Sequence, residues 1–482
     1  MLNINDKIRR KAIKRCKEKG IVIPTFKEQK NPELISADVK KRLKNVGLWD
    51  VDPLNLYRIT WKNEPVEKGG EFGKVNYLEF PSELTGVKAR IVGLVGKYFP
   101  TGAHKVGAAF GCLVPRLVTG EFDPTTQKAV WPSTGNYCRG GAFDSALLGC
   151  TAVAILPEEM SRERFDWLRE IGAEVIATPG CESNVKEIYD KCWDIRKNRP
   201  DCVIFNQFDE FGNHLWHYEI TASAIEEVFD SIKNSKSSLA VYLSATGSAG
   251  TIGAGDRLKE IYPNMKIGAS EALQCPTLLL NGFGGHRIEG IGDKHVPWIH
   301  NTRNTDMVVA IDDEACMSIL RLFNEPQGIE YLSAQNINNN LIKKLPLLGI
   351  SSISNLISSI KTAKYYELGK DDVIFTILTD SAAMYSSRLE ELKEADGNYT
   401  KEDASKHLAR YIHGAGIDNM RELSYYDRKA LHNLKYYTWV EQQGKSTEDL
   451  NRLWDPEFWA EIHTQIPEWD SAIESFNSEV VK

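Results

Sequence analysis

The chain has 482 residues, enough for about three domains of ordinary size. Hydrophobic residues make up 42% and charged residues 26%, which is typical of a globular protein and excludes fibrous, collagen-like and wholly disordered chains. The 59 Lys and Arg residues are outweighed by 66 Asp and Glu residues, and the net charge of −7 gives the whole molecule no basic field for nucleic acid or an anionic membrane.

Residues 1–65 are predicted to form an N-terminal extension. Ile4, Ile8, Ala12 and Cys16 recur at steps of four among basic residues, which favours an amphipathic helix packed against its own protein. A helix that contacts RNA or a membrane, or a transit peptide, is the alternative left open by the basic residues. We expect neither a membrane span nor a secretory signal, because no window of 18 apolar residues and no apolar stretch after the basic segment occurs.

From residue 78 to 389, short apolar runs alternate with helical stretches. The predicted strands are 150–156, 174–177, 203–206, 240–243 and 373–378, and predicted helices include 161–171, begun by Ser161, and 184–195. Because neighbouring parallel strands need a crossover connection, this alternation predicts an α/β fold whose sheet is covered by helices on both faces.

After residue 394 the pattern becomes helical and rich in Tyr and Trp. Ser424 precedes Asp427 by three residues and Ser446 precedes Asp449 by the same step, which is typical of a helix-starting capping box. We expect the aromatic residues to dock on the core, with an oligomer interface as the alternative. The predicted division is 1–65, 66–210 with a mobile small subdomain near 105–200, 211–394, and a helical extension 395–482.

The nine cysteines are scattered without a CxxC pair. His104, His286, His295 and His300 also lack a recognised ligand spacing. We therefore predict free thiols in the reducing cytoplasm and no metal site.

Three polar loops each precede a predicted helix: 101–105 (TGAHK), 133–137 (STGNY) and 244–251 (SATGSAGT). A Gly/Ser/Thr loop that enters a helix presents backbone N–H groups to a phosphate, although a plain tight turn explains such a loop as well. Neither GxxxxGK[ST] nor GxGxxG occurs there. Lys105 is either an exposed cap or, if desolvated, a nucleophile at the start of a helix that Pro115 should end or kink.

Taken together, these segments resemble the pyridoxal-phosphate enzymes of fold type II, which include cysteine synthase, cystathionine β-synthase, threonine synthase and the tryptophan synthase β chain. Seven motifs occur in the family's order over about residues 78–390. They are PTGAHK at 100–105, closest to the lysine motif of tryptophan synthase β, STGN at 133–136, the helix and strand at 160–180, NQF at 206–208, GSAGT at 247–251, HRIEGIGDKHVP at 286–297 and TDS at 379–381.

The resemblance implies two open, parallel-type sheets with helices on both faces, and pyridoxal 5'-phosphate as the cofactor. It implies that Lys105 holds the cofactor and moves protons, that Asn136 contacts the ring hydroxyl, and that Ser381, with Asp380 as a competitor, meets the ring nitrogen. The implied phosphate-binding residues are Gly247, Ser248, Ala249, Gly250 and Thr251. The implied substrate-carboxylate residues are Ser133, Thr134 and Gln207, for which ordinary capping or turn hydrogen bonds are the alternative.

Several residues depart from the family's pattern. Tyr137 replaces a threonine of cysteine synthase and should reshape the substrate pocket, and Arg139 is a candidate for recognising a second acid group. Ala249 stands where the family has glycine and is less free in φ. Cys138 is interpreted as a small buried residue, with a reactive thiol as the alternative.

The function implied is β-elimination or β-replacement on a small amino acid through an aminoacrylate. A threonine synthase-type or dehydratase-type lyase and a non-catalytic, cofactor-binding subunit are the alternatives. The family analogy further implies a homodimer, with another subunit as an alternative. The cytoplasmic location is predicted from the cysteines alone.

Overall fold

The computed structural model describes residues 2–65, 70–133, 135–160, 162–180, 185–292 and 294–482. Its strands are short and mostly apolar, as expected of strands buried on both faces. They are β1 (Tyr77–Phe80), β2 (Arg90–Val95), β3 (Lys128–Pro132), β4 (Thr151–Pro157), β5 (Glu174–Thr178), β6 (Cys202–Ile204), β7 (Ser238–Ala245), β8 (Lys266–Ala272), β9 (Met307–Ile311), β10 (Asp372–Leu378) and β11 (Met420–Glu422).

The larger sheet has seven strands in the order β1-β2-β10-β7-β8-β9-β11. Its inner strands are parallel, whereas β1 and β11 pair antiparallel at the two edges. Phe375 of β10 lies opposite Val92 of β2 and Tyr242 of β7. Since β7 and β10 are parallel neighbours, the loops that follow them begin side by side.

The smaller sheet is wholly parallel, in the order β5-β4-β3-β6. Val130 of β3 lies opposite Val153 of β4 and Ile204 of β6. The predicted α/β fold with two open sheets is confirmed, and the antiparallel edge strands are the addition that the sequence pattern did not indicate.

Helices cover both sheets and form most of the two extensions. The first are α1 (Asp6–Lys19), α2 (Phe26–Lys30), α3 (Ala37–Leu43) and α4 (Ser82–Thr85). Those of the two-sheet core are α5 (Lys105–Thr119), α6 (Asn136–Leu147), α7 (Arg162–Glu170), α8 (Val185–Asn198), α9 (Phe211–Trp216), α10 (Ala222–Ile232), α11 (Ile252–Ile261), α12 (Thr277–Leu280), α13 (Asp313–Asn324), α14 (Pro326–Ser333), α15 (Asn339–Ile342), α16 (Ile350–Tyr365) and α17 (Ser386–Asp396). The last are α18 (Lys401–His407), α19 (Tyr425–Lys435), α20 (Thr447–Arg452), α21 (Pro456–His463) and α22 (Gln465–Val480).

The predicted elements recur with shifted ends. Ser161 and residue 184, with which two predicted helices begin, lie outside the described residues. Of the two effects predicted for Pro115, the end of the helix is wrong, because α5 continues to Thr119. This helix is buried almost all round, and its packing outweighs the cost of about 3 kcal/mol for an interior proline.

Both extensions pack on the core. In α1, Ala12 and Cys16 are buried as predicted, but Ile4 precedes the helix and is exposed. One continuous hydrophobic cluster joins Ala12, Trp131 of β3 and Phe476 of α22. The C-terminal extension is helical except for β11, which pairs with β9. A strand of three residues is too short to show a periodic pattern in the sequence, so this pairing was not predicted.

The helix starts predicted in the C-terminal extension are confirmed. Ser424 and Asp427 form a capping box at α19, and Ser446 caps α20. Among the described residues, no helix combines the length and the apolar composition needed to cross a bilayer.

Candidate active site

A cleft lies where strands of both sheets end. Loops that follow β3, β6, β7 and β10 all contribute to it, because carboxyl ends of parallel strands share one side of a sheet. Among the predicted site residues, those that line the cleft are Lys105, Ser133, Asn136, Gln207, Gly247 and Ser248. Residues far apart in the chain therefore meet in one place.

Lys105 is the first residue of α5 and points its amine into the cleft. The Lys105 Nζ donates to Ser248 Oγ at 3.3 Å and to Gln207 Oε1 at 3.5 Å. The preceding His104 is buried and stacks on Trp61, with ring centroids 5.7 Å apart. Burial, assisted by the nearby Lys105 charge, lowers the pKa of His104, so its ring is neutral. Lys105 is thus a partly buried amine beside two neutral oxygens rather than a surface cap.

The loop 247–251 supplies a set of backbone donors beside this amine. Its N–H groups donate no hydrogen bond to any other residue that the structure describes, and α11 begins directly after it. The positive end of that helix and the free N–H groups favour an anion. Ala249 has a φ of 60°, a left-handed conformation that costs a residue with a side chain more than glycine.

Asn213 of α9 supports the loop from behind. Its Nδ2 donates to Ser248 Oγ and to the carbonyl of Gln207, both at 3.0 Å. A Cβ on Gly250 would lie 2.0 Å from Asn213 Oδ1, so only glycine fits at that position. The loop and the Gln207 segment are therefore held together by one buried amide.

Ser133 and Gln207 form a polar pair in the same cleft. Gln207 Nε2 and the N–H of Gly135 both donate to Ser133 Oγ at 3.2 Å. Asn136 begins α6, and its Nδ2 donates to Asp380 Oδ2 at 2.7 Å. Thr134, the remaining predicted residue of this loop, lies outside the described residues.

The segment after β10 differs in detail from the expectation. Thr379 lines the cleft, whereas Ser381 is buried but is not among the described residues that line it. Asp380 is fully buried, and its Oδ2 also accepts a hydrogen bond from the Tyr385 hydroxyl at 2.7 Å. Burial raises the pKa of Asp380.

Arg139 does not reach the cleft that Lys105 lines. Its guanidinium lies over the rings of Trp49 and Trp167, at 5.3 and 5.0 Å from their centroids. It lines a separate surface cavity with Arg164. Its position therefore does not support contact with a second acid group in this cleft.

Comparison with known proteins identifies the family. The family model described as pyridoxal-phosphate dependent enzyme matches residues 95–334. The cysteine synthase of Staphylococcus aureus is 30% identical over 60% of this chain and 84% of its own length, and the probable cysteine synthase of Bacillus subtilis is 28% identical over 60% and 85%. The chain belongs to the cysteine synthase family of pyridoxal-phosphate-dependent enzymes.

A solved structure agrees with this family. A hydrogen sulfide-producing enzyme of Fusobacterium nucleatum, captured with an α-aminoacrylate intermediate, is 25% identical with a TM-score of 0.56. The alignment covers 72% of this chain and 96% of that one. The architecture is that of the fold type II pyridoxal-phosphate enzymes, as predicted.

The cleft fits the family's cofactor in two independent respects. The donor loop 247–251 is suited to a phosphate, and the Lys105 amine beside it is suited to an aldehyde carbon. Asn136 Oδ1 is buried without a partner among the described residues, so this amide retains capacity for a further contact.

Some site residues escaped the sequence analysis. Asn213 and Tyr385 hold the loop and Asp380 in place, yet neither lies in a motif of its own. The one available signal for Asn213 is a polar amide inside the otherwise apolar and aromatic stretch 211–218. Thr379 lines the cleft, yet the sequence singled it out only as the first residue of the TDS motif and predicted no role for it.

Proposed function

We propose that this enzyme catalyses β-replacement or β-elimination on a small amino acid, with the cofactor held by Lys105. The observation that carries the proposal is the Lys105 amine lying 3.3 Å from Ser248, inside the donor loop that would hold the cofactor's phosphate. Bound pyridoxal phosphate supplies an electron sink that acidifies the amino acid's α-proton. The family acts on amino-acid substrates. For this enzyme we propose a small amino acid that carries a leaving group on its β-carbon.

In the proposed reaction Lys105 is the acid–base group. Its amine takes the α-proton, and the β-substituent departs with its bonding electron pair. A nucleophile H–X then adds through X to the β-carbon, and Lys105 returns a proton to the α-carbon. In elimination no nucleophile adds to the β-carbon. That carbon takes up a proton instead, and water attacks the α-carbon that bears nitrogen, which releases pyruvate and ammonia. Ser248 and Gln207, which accept hydrogen bonds from this amine, would orient it.

We assign the carboxylate of the substrate to the Ser133–Gln207 pair and the first turn of α6. The side chains are adjacent, and the helix start offers N–H groups and a positive dipole end. Thr134 completes the proposed cradle, and Asn136 would contact the ring hydroxyl. The small sheet, β3 to β6, would close on the substrate and exclude water.

The proposed contact of the ring nitrogen is Ser381. A neutral hydroxyl leaves the ring a modest sink, which suits departure of a β-group better than a long-lived carbanion. Asp380 is the competing partner, and its hydrogen bonds from Asn136 and Tyr385 support a role in fixing the site. The variants Ser381→Ala and Asp380→Asn distinguish the two residues. Only substitution of the residue that contacts the ring nitrogen should shift the absorption spectrum of the cofactor.

The test is Lys105→Ala in the full chain, with Lys97→Ala as the control for loss of a lysine elsewhere. We expect wild type and the control to give a borohydride-reducible adduct at Lys105 and to convert serine, cysteine or O-acetylserine, with turnover lost in Lys105→Ala. Turnover retained in Lys105→Ala, or no adduct in wild type, would contradict the proposal. Release of 2-oxobutyrate from threonine alone would favour the threonine-type alternative.

We also propose that the enzyme is a cytoplasmic homodimer. The eight cysteines that the structure describes are free thiols, and all but Cys202 are buried, which agrees with a reducing compartment. Support for the dimer is the family analogy, and exposed tyrosines of the C-terminal extension, Tyr425, Tyr426 and Tyr437, offer apolar area for a contact.

A further inference from the structure

Two histidines and an aspartate from three different helices converge behind the donor loop. They are His214 of α9, Asp256 of α11 and His463, the last residue of α21. Their ligand atoms all lie within 4.8 Å of one another. His214 Nε2 is 3.1 Å from His463 Nε2 and 3.7 Å from Asp256 Oδ2. None of the three lines the cleft, so the cluster is separate from the reacting groups.

These separations suit a metal ion. Ligands about 2.0–2.1 Å from Zn²⁺ lie about 3–3.5 Å from each other in a tetrahedral shell. The separations of 3.1 and 3.7 Å measured from His214 Nε2 are close to this range. Two imidazole nitrogens and a carboxylate oxygen are ligands that Zn²⁺ takes in proteins.

The surroundings hold the three side chains in these positions. Asp256 accepts hydrogen bonds from Asn301 Nδ2 at 2.9 Å and from Asn304 Nδ2 at 2.7 Å. His463 Nδ1 faces Glu260 Oε1 at 3.4 Å, the outer carboxylate contact that orients many metal-binding histidines. His214 Nδ1 is buried without a partner among the described residues.

Aromatic rings clamp the two imidazoles. Tyr218 stacks on His463 with centroids 3.8 Å apart, and Trp459 packs against His214 at 5.0 Å. The Glu260 side chain beside His463 is half exposed, whereas the side chains of His214 and Asp256 are buried. The two histidines are thus held by aromatic contacts, and the cluster lies beneath the surface on the side of Glu260.

We propose that His214, Asp256 and His463 bind one divalent transition-metal ion, with Zn²⁺ as the best fit to two imidazoles and a carboxylate. The ion would join the C-terminal extension, through His463, to helices α9 and α11 of the core. It takes no part in the reaction proposed above, and its binding can be tested independently of turnover.

The test uses the untagged holoenzyme, dialysed against a chelator and titrated with Zn²⁺ at pH 7.5. We expect one Zn²⁺ per chain, a rise in the thermal midpoint on binding, and a visible Co²⁺ absorption band when Co²⁺ replaces it. His463→Gln should weaken the binding at least tenfold and remove the Co²⁺ band. His413→Gln is the matched control, because His413 also ends a helical segment, Leu408–His413, and is exposed outside the cluster.

The outcomes separate the proposal from its alternative. Binding of one ion in wild type and His413→Gln, lost in His463→Gln, supports the site. No stoichiometric binding in wild type, or equal binding in His463→Gln, overturns it and leaves a hydrogen-bonded histidine pair. The circular dichroism and thermal midpoint of metal-free His463→Gln show that the variant is folded, and Asp256→Asn provides a second variant with the same expected loss.

Discussion

Gly250 and Asn213 show how one absent methyl group shapes the donor loop. Asn213 can reach both Ser248 and the Gln207 carbonyl only because Gly250 leaves space for its amide. The neighbouring Ala249 adopts a left-handed φ that the family's glycine reaches more easily. The loop is therefore fixed by contacts from α9 rather than by its own conformational freedom.

We predict that Gly250→Ala lowers the affinity for pyridoxal phosphate at least about tenfold, which corresponds to about 1.4 kcal/mol. The new Cβ would displace Asn213 and with it Ser248. Equilibrium dialysis or quenching of tryptophan fluorescence measures the affinity. Gly285→Ala is the control, since a Cβ there meets nothing within 4 Å, and its affinity should equal that of wild type. Equal affinities in all three proteins would show that Asn213 does not position the loop.

Sequence motifs located the cleft residues but not their supports. Lys105, Ser133 and Gln207 belong to segments whose order along the chain resembles the family, and the structure brings them together. Asn213 was missed because a single amide in a helix has no recognisable spacing. Position in a motif also did not determine which side chain of residues 379–381 faces the cleft, since that depends on the backbone after β10.

At the scale of elements, α22 secures the two extensions to the core and to each other. Arg9 of α1 pairs with Glu479 at 2.5 Å, and both Asp470 carboxylate oxygens accept N–H groups at the start of α2. Trp469 packs against the buried ring of Phe26, with centroids 5.7 Å apart. Chain segments more than 400 residues apart in sequence thus form one packed layer.

We predict that Trp469→Ala loosens this layer and costs about 3 kcal/mol, the usual effect of removing a large buried ring. Hydrogen exchange of α22 and the thermal midpoint measure the loss. Trp193→Ala removes the same ring from an exposed position and should change stability by less than about 0.5 kcal/mol. Unchanged exchange in Trp469→Ala would mean that α22 is held by its polar contacts alone.

Element types were predictable where periodicity or capping was strong, and element ends were less so. The capping box of Ser424 correctly predicted the start of α19. The helix end predicted at Pro115 does not occur, because the burial of α5 outweighs the low helix propensity of proline. The strand β11 has three residues and no periodic signal, so its pairing with β9 is a tertiary event. Division of the chain into four units remains a prediction.

At the scale of the whole molecule, the proposed homodimer predicts a mass of about twice 54.3 kDa by light scattering. The holoenzyme should keep this mass on dilution to low micromolar concentration. Tyr426→Lys, on the exposed face of α19, should lower the mass if that face forms the contact, and Glu83→Lys serves as a surface control remote from that extension in sequence. A mass of 54.3 kDa for wild type at every concentration would contradict the dimer.

The His214, Asp256 and His463 cluster illustrates what sequence reading leaves out at this scale. The expectation of no metal rested on spacing along the chain, and His214 and His463 are 249 residues apart. Their approach depends on the docking of the C-terminal extension, which no local pattern encodes. Family resemblance covers the two-sheet core and does not extend to α21.

The edge strands β1 and β11 bear on the solubility of the protein at high concentration. Open sheet edges can pair with strands of further chains, which leads to aggregation. Proteins limit this aggregation with short, charged edge strands. Here β1 has four residues and carries Glu79, paired with Arg90, while β11 has three and carries Arg421 and Glu422. Growth of fibrils or ladders by strand addition at the seven-stranded sheet is thereby disfavoured at both ends.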